Sequence, residues 1–307
     1  MLRSLLLYLS NASWAQAIMT HFFLARRVAR RFVAGETEEE AIAVVRKLNA
    51  DGLLVTLDYL GEAVHSRPDS ERATQEYLVI LDTIAEHGLQ ATISLKLTQL
   101  GLDISDDLCL TNMRRIMERA AERGNHVTID MESTAYTDRT LRIFRTLRHE
   151  YNFENVGTVI QAYLYRSEAD MKALHEEGAF VRLCKGAYKE PPDKAFPKKA
   201  DVDANYVKLM KAYLSDGASG AYLAIATHDE KIINEARDFI RMHEIPRDRF
   251  EFQMLYGIRA DLQRELARQG YTMRVYVPFG TQWYPYFMRR LAERPANLWF
   301  FVSNFFR

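Results

Sequence analysis

Eight short β-branched or apolar runs, each followed by a longer segment of helical periodicity, predict a (β/α)8 barrel of the TIM type. The eight pairs occupy roughly 250 residues, the usual span of such a barrel. No G-x-G-x-x-G or Walker A loop follows any run, which removes the main signature of a doubly wound open sheet. The strands are expected at Leu53–Leu57, Thr92–Leu95, His126–Ile129, Thr158–Gln161, Phe180–Leu183, Tyr222–Ala226, Phe250–Phe252 and Met273–Val277. The helices are expected at Glu71–His87, Leu108–Arg123, Asp138–Glu150, Glu168–Glu177, Asn205–Asp216, Glu230–His243, Ala260–Gln269 and Trp283–Arg294. In each helical segment the apolar residues recur every three or four positions; in each strand run they stand side by side, as in a buried parallel sheet. Residues 1–50 read as an N-terminal helical extension packed on the barrel, and residues 51–307 as the barrel itself.

Composition bounds the function. The chain has 307 residues, 48% hydrophobic and 27% charged, enough for one large single-core domain or two ordinary ones. Lys+Arg and Asp+Glu number 41 each, so no basic surplus points to nucleic acid. Cys109 and Cys184 are too few for a disulfide framework, and no Cys/His spacing suits a metal. No apolar run near the start approaches the roughly 18 residues that cross a bilayer. The first 35 residues carry five arginines and no acid. The expected pair of helices there puts Arg26, Arg27, Arg30 and Arg31 in a stripe beside Phe23, Leu24, Val28 and Phe32, a solvated face that also suits an anionic membrane surface.

In a barrel of this type chemistry sits at the C-terminal ends of the strands. That rim is polar here: Asp58 and Glu62 after the first strand, Lys96 after the second, Asp130 and Glu132 after the third, and Gln161 at the fourth. Arg182 and Lys185 follow at the fifth, Thr227 and His228 at the sixth, Gln253 at the seventh and Tyr276 at the eighth. Singly, each reads equally well as a cap or a rim charge. The last helix adds Tyr286-x-x-Arg289-Arg290-x-x-Glu293, four groups that helical spacing puts on one face. Two guanidiniums beside a phenol present a planar array of donors suited to a small carboxylate.

The ordered set Leu60-Gly61-Glu62-Ala63, Ser94-Leu95-Lys96-Leu97, Ile129-Asp130-Met131-Glu132, Arg182-Leu183-Cys184-Lys185-Gly186-Ala187-Tyr188, Ala226-Thr227-His228, Glu251-Phe252-Gln253-Met254-Leu255-Tyr256-Gly257 and Tyr276-Val277-Pro278-Phe279-Gly280, closed by the arginine helix, resembles proline dehydrogenase in its short monofunctional bacterial form. The resemblance implies a distorted barrel with FAD over the strand ends, and proline held between the flavin ring and the last helix. It implies that Arg289 and Arg290 bind the proline carboxylate, with Glu62 and Glu293 holding the guanidiniums. It places Lys96 and Asp130 in the substrate site, and Leu255, Tyr276 and Tyr286 around the pyrrolidine ring. On the cofactor side it places Arg182 and Gln161 at the flavin ring, Lys185, Gly186, Ala187 and Tyr188 along the dinucleotide, and Thr227 and His228 at its ribose or phosphates. It further implies quinone as electron acceptor, a separate pyrroline-5-carboxylate (glutamate semialdehyde) dehydrogenase for the next step, and the cytoplasm, peripheral on the inner face of the membrane, or the mitochondrion in a eukaryote.

Two departures from the family pattern stand out. Asp229 follows His228 where an asparagine is common, putting a carboxylate beside a phosphate site or simply capping the next helix. The segment Lys189 to Ala200 lacks the tryptophan of bifunctional relatives and reads as a mobile lid, an adenosine contact or a plain surface loop. Two rival functions remain. Hydroxyproline dehydrogenase shares the clamp, but that relative looks to have a smaller residue in place of the strand-eight tyrosine, leaving room for the hydroxyl, whereas this chain keeps Tyr276. A Schiff-base barrel using Lys96 explains the lysine and leaves the arginines idle.

Overall fold

The computed structural model describes residues 29–61, 63–215 and 220–293, with side chains through residue 291. Eight parallel strands close in sequence order into one barrel: β1 (Leu54–Tyr59), β2 (Ala91–Leu95), β3 (Val127–Ile129), β4 (Val156–Gln161), β5 (Phe180–Cys184), β6 (Tyr222–Ala226), β7 (Phe250–Leu255) and β8 (Met273–Phe279). β8 closes the barrel on β1, with Leu57 beside Val277 and Tyr59 beside Phe279. Helices α2 (Arg67–Glu86), α3 (Asp106–Glu122), α4 (Thr134–Arg145), α5 (Ser167–Glu176), α6 (Lys199–Ser215), α7 (Glu230–Met242), α8 (Ala260–Arg268) and α9 (Trp283–Glu293) follow the strands in turn, and α1 (Glu38–Ala50) packs on β1 and β8 where the barrel closes. Residues before 29, with Arg26 and Arg27 of the basic stripe, lie outside the described residues, as does the C-terminal run of aromatics from Trp299.

The alternation of side chains along each strand separates two chemistries. Val55, Leu57, Ile93, Leu95, Val127, Ile129, Val181, Leu183, Phe252 and Met254 belong to the main hydrophobic core shared with the surrounding helices. The positions between them are Thr56, Asp58, Ser94, Thr128, Arg182, Glu251 and Gln253, each at most 5% exposed. The apolar core therefore coats the barrel, and its interior is a column of polar side chains. Each fully buried aliphatic of the coat stabilises the fold by about 1.5–3 kcal/mol.

Several helices begin earlier than apolar periodicity alone suggests, because local caps set their first turns. Ser66 accepts the Asp69 N–H and Pro68 occupies the first turn, where its missing N–H costs nothing, so α2 starts at Arg67 rather than Glu71. Ser105 accepts the Leu108 N–H at 3.0 Å and starts α3 at Asp106. Helix α4 starts at Thr134 rather than Asp138. Its first N–H is taken at 2.8 Å by Glu190, which reaches over from the loop after β5. That loop is further held by Tyr165 N–H to Lys194 O (3.1 Å) and Phe196 N–H to Tyr163 O (2.8 Å). These bonds tie the loop to α4 on one side and to the segment after β4 on the other. Cys109 is buried and Cys184 half-buried, both as free thiols.

Truncating Ile129→Ala in the apolar coat is expected to cost about 2–5 kcal/mol. Removing the α2 cap with Ser66→Ala should cost about 1 kcal/mol. Urea unfolding followed by circular dichroism checks the order; a cap variant as costly as the core variant would show that α2 is held by its cap rather than by packing.

Candidate active site

Asp130 is the centre of the mouth. Its position just past β3 points the carboxylate inward, where one oxygen accepts from Ser94 Oγ (2.6 Å) and Arg182 Nη1 (2.7 Å), and the other from Tyr276 Oη (2.8 Å) and Lys96 Nζ (3.3 Å). Lys96 follows β2 directly and also meets both oxygens of Asp58, at 3.2 and 3.3 Å. Arg182 donates its Nε to Gln253 Oε1 at 2.6 Å and stands with its guanidinium carbon 5.2 Å from the centre of the Tyr276 ring. Gln253 passes the chain on to Glu251 (2.5 Å), which Arg274 holds at 2.8 Å. Six strands thus contribute to one hydrogen-bonded column running down the barrel.

The charges set one another. Burial alone would raise the Asp130 carboxyl, but Lys96 and Arg182 outweigh it and hold the group below the ordinary value of 3.8. Asp58 is raised, chiefly by burial, against the opposing pull of Lys96. Burial would lower Lys96, yet Asp58 and Asp130 hold it above the ordinary lysine value, so it stays an ammonium. A Schiff-base lysine needs a neutral amine, and this environment opposes one.

On the cofactor-facing side assigned from sequence, Gln161 donates to the Glu132 carbonyl at 2.8 Å and so braces the loop after β3. Lys185 is engaged by Asp203 and Asp229, the latter at 2.7 Å. Asp229 also caps α7 through the Lys231 N–H, and the Thr227 hydroxyl accepts the Asp229 N–H at 3.1 Å. His228 is turned toward β7, where its Nε2 accepts the Leu255 N–H at 2.9 Å. That bond leaves the ring neutral with its proton on Nδ1. Gly186 has φ +112°, and a Cβ there would lie 2.2 Å from the Tyr163 ring, so only glycine lets the chain turn. Ala187 leads from it to Tyr188, whose phenol lies in the field of Glu132, Lys96, Arg289 and Asp130. This puts Tyr188 beside the substrate residues as well as along the loop.

Tyr286 is buried on α9, and the Arg290 guanidinium sits 5.2 Å from its ring centre, one turn on. Leu255 packs against the same apolar cluster as α9. Glu62 and the Glu293 side chain, expected as ion-pair partners, lie outside the described residues. The role of Asp58 escaped the sequence reading: it was visible as a strand-end acid, but its bond to Lys96 depends on the register of β1 beside β2. Glu251 and Arg274 were missed altogether, since they lie well below the strand ends.

One donor stands out. Arg182 Nη2 is buried with no hydrogen-bond partner among the described residues. An unmet guanidinium N–H at the strand ends fits an acceptor-rich ring or an anion placed against it. Lys185 supplies a second cation near the same rim.

A closed β/α barrel with cations and carboxylates interlocked at its strand ends, beside a helix carrying two arginines, has the architecture of a barrel enzyme. The chain belongs to the proline dehydrogenase family: the family described as Proline dehydrogenase matches residues 41–302. It is 47% identical to Proline dehydrogenase 1 of Bacillus subtilis strain 168 over 307 residues, covering 99% of both chains. It is 45% identical to Proline dehydrogenase of Deinococcus radiodurans over 280 residues, covering 90% of this chain and 89% of that one. Among solved structures it is similar to proline utilization A (PutA) from Bdellovibrio bacteriovorus inactivated by N-propargylglycine, with a TM-score of 0.82 and 28% identity, covering 91% of this chain and 33% of that chain. This chain therefore spans about a third of that protein.

Because the folded-state Asp130 carboxyl titrates below the unfolded one, its stabilising charge is fully present above 3.8 and is lost as pH falls through the lowered folded value. Asp130→Asn is expected to cost about 3–5 kcal/mol at neutral pH by taking the carboxylate from the buried Arg182 and one of two carboxylates from Lys96. Urea melts over a pH series should show the gap to the parent protein narrowing in acid; a gap independent of pH would remove Asp130 as the ionised centre.

Proposed function

We propose that the protein oxidises L-proline to Δ1-pyrroline-5-carboxylate as the first step of proline catabolism, with FAD as its cofactor and a quinone as final electron acceptor. The observation that carries this reading is the Arg182–Asp130–Lys96 lattice, backed by Tyr276, beneath a helix that presents Arg289 and Arg290. FAD, when bound, supplies the acceptor for the hydride that leaves C5 of proline. Arg182 and Gln161 would meet its ring, Lys185, Gly186 and Ala187 would follow the dinucleotide, and Thr227 and His228 would border its ribose and phosphates. Lys185 would exchange Asp203 and Asp229 for phosphate oxygens.

The chain's own residues do the rest. Arg289 and Arg290 bind the carboxylate through paired charge-assisted bonds and hold the pyrrolidine in one orientation, which makes the encounter effectively unimolecular. Leu255, Tyr276 and Tyr286 wall the ring and exclude water. Release of a hydride requires a free lone pair on the substrate nitrogen. The permanent ammonium of Lys96, with the two arginines, disfavours a second positive charge and selects the neutral amine. Lys96 is already protonated and Asp130 already accepts four donors, so neither is the base; the amine proton goes to solvent. With the phenol of Tyr276 engaged by Asp130, the pocket has no room made for a ring hydroxyl, which favours proline over hydroxyproline.

A separate pyrroline-5-carboxylate dehydrogenase would act next. Quinone reduction would bring the protein from the cytoplasm to the inner face of a membrane; among the described residues no helix is long and apolar enough to cross one.

Anaerobic L-proline is expected to bleach the visible flavin spectrum of the purified protein, hydroxyproline far less. A colourless protein that FAD cannot reconstitute would sink the reading. Arg289→Met and Arg290→Met should each raise KM for proline by about 10- to 100-fold, the worth of a charge-assisted hydrogen bond, with flavin content unchanged. kcat/KM should rise with pH across the neutral range as the amine loses its proton, and a flat profile would show that the protein itself takes that proton.

A further inference from the structure

The helix that carries the two arginines is not held by the barrel alone. Residues 29–36 cross the ends of β7 and β8 before α1 begins, and they meet α9 directly at Trp283 and through a shared apolar cluster. At β8 the chain pairs through backbone, Ala34 N–H to Pro278 O at 2.8 Å and Gly280 N–H to Gly35 O at 2.9 Å. At the exit of β7 it presses so closely that a Cβ on Gly257 would lie 1.7 Å from the Arg31 carbonyl oxygen. On α9 itself, the first residue, Trp283, donates its indole N–H to Glu36 Oε1 at 2.8 Å. Glu36 is fixed in turn, its N–H bonded to Glu40 Oε2 at 2.8 Å while Arg30 holds the other Glu40 oxygen at 2.5 Å. Phe32 and Val33 share a separate apolar cluster with Trp283, Phe287 and Leu291, apart from the main core.

We propose that residues 30–36 form a clasp that sets the position of Arg289 and Arg290, with Glu36 and Trp283 as positioning residues for the substrate carboxylate. The step from contact to function is geometric. Trp283 opens α9, and Arg289 and Arg290 lie about two turns along the same rigid rod, so a tilt at the indole displaces the guanidiniums. Paired guanidinium recognition loses strength steeply with misalignment. The hydrogen bonds given above for Lys96, Asp130 and Arg182 run among barrel residues rather than through the clasp. This inference rests on the arginines binding the carboxylate.

The test is steady-state kinetics on the full chain with its flavin. Glu36→Ala and Trp283→Phe are each expected to raise KM for L-proline by about 5-fold, the effect of one lost hydrogen bond, with kcat changed by less than about twofold. Glu36→Gln keeps an acceptor oxygen and should restore KM to near the parent value. A lower folded fraction alone would reduce the rate without moving KM. Adding Glu36→Ala to the R289M/R290M pair should raise KM no further, because the effect passes through those side chains. An unchanged KM in Glu36→Ala, failure of Glu36→Gln to restore it, or full additivity on the arginine pair would each overturn the clasp. An R289M/R290M pair whose KM matches the parent would instead overturn the carboxylate reading beneath it.

Discussion

An inward-facing carboxylate with four donors governs this barrel. Asp130 is tolerable inside the sheet only because Lys96, Arg182, Ser94 and Tyr276 all reach it. Each of those partners depends on it in return. Without Asp130, the hydrogen-bond partners left among the described residues are Gln253 and Ser94 for the Arg182 guanidinium and Asp58 for the Lys96 ammonium. Buried ion pairs add little net stability over apolar packing, and breaking one is expensive. The arrangement is better understood as specification: it admits one register of the strands, because only that register delivers β2, β3, β5 and β8 side chains to a single point.

That constraint explains why the apolar core lies outside the sheet. An interior given over largely to polar side chains, with Val159 and Ala224 among its few apolar ones, buries little aliphatic surface, so the helices supply the main hydrophobic partner of the strands. Burial of Asp58, Arg182, Glu251 and Gln253 within the barrel strengthens the charge interactions between them and their partners. Stability and site are thereby divided between the two faces of one sheet. A substitution in the coat acts on unfolding, whereas one in the column alters the electrostatics of the mouth.

The barrel was legible in the sequence because its signal is periodic and local: all eight apolar runs became strands, and the long helical segments between them became helices. Helix starts were less legible. Ser66, Ser105 and Glu190 decide them by single hydrogen bonds, and the last comes from a loop 56 residues further along the chain. Site residues were legible as polar groups at strand ends, with Lys96, Asp130, Arg182 and Tyr276 brought into direct contact. Their partners were not. That Asp58 faces Lys96, that Lys185 is shared between Asp203 and Asp229, and that His228 serves the backbone of Leu255 are consequences of closure, which no local pattern encodes.

The two ends of the mouth have different mechanical supports. The end assigned to the cofactor rests on loops after β5 and β6, tied down by Glu190 on α4 and by the Asp229 cap of α7. The end assigned to the substrate rests on α9, whose anchorage includes the segment before α1, at the far end of the chain. Asp130 is bonded to groups from both, Arg182 on one side and Lys96 and Tyr276 on the other. Strain entering through either support therefore meets a carboxylate held by four hydrogen bonds before it reaches the other. On the proposed reading, such a layout would let substrate affinity change through α9 while Arg182 stays in place, and would tie the covalently distant N-terminal segment to the substrate end of the mouth.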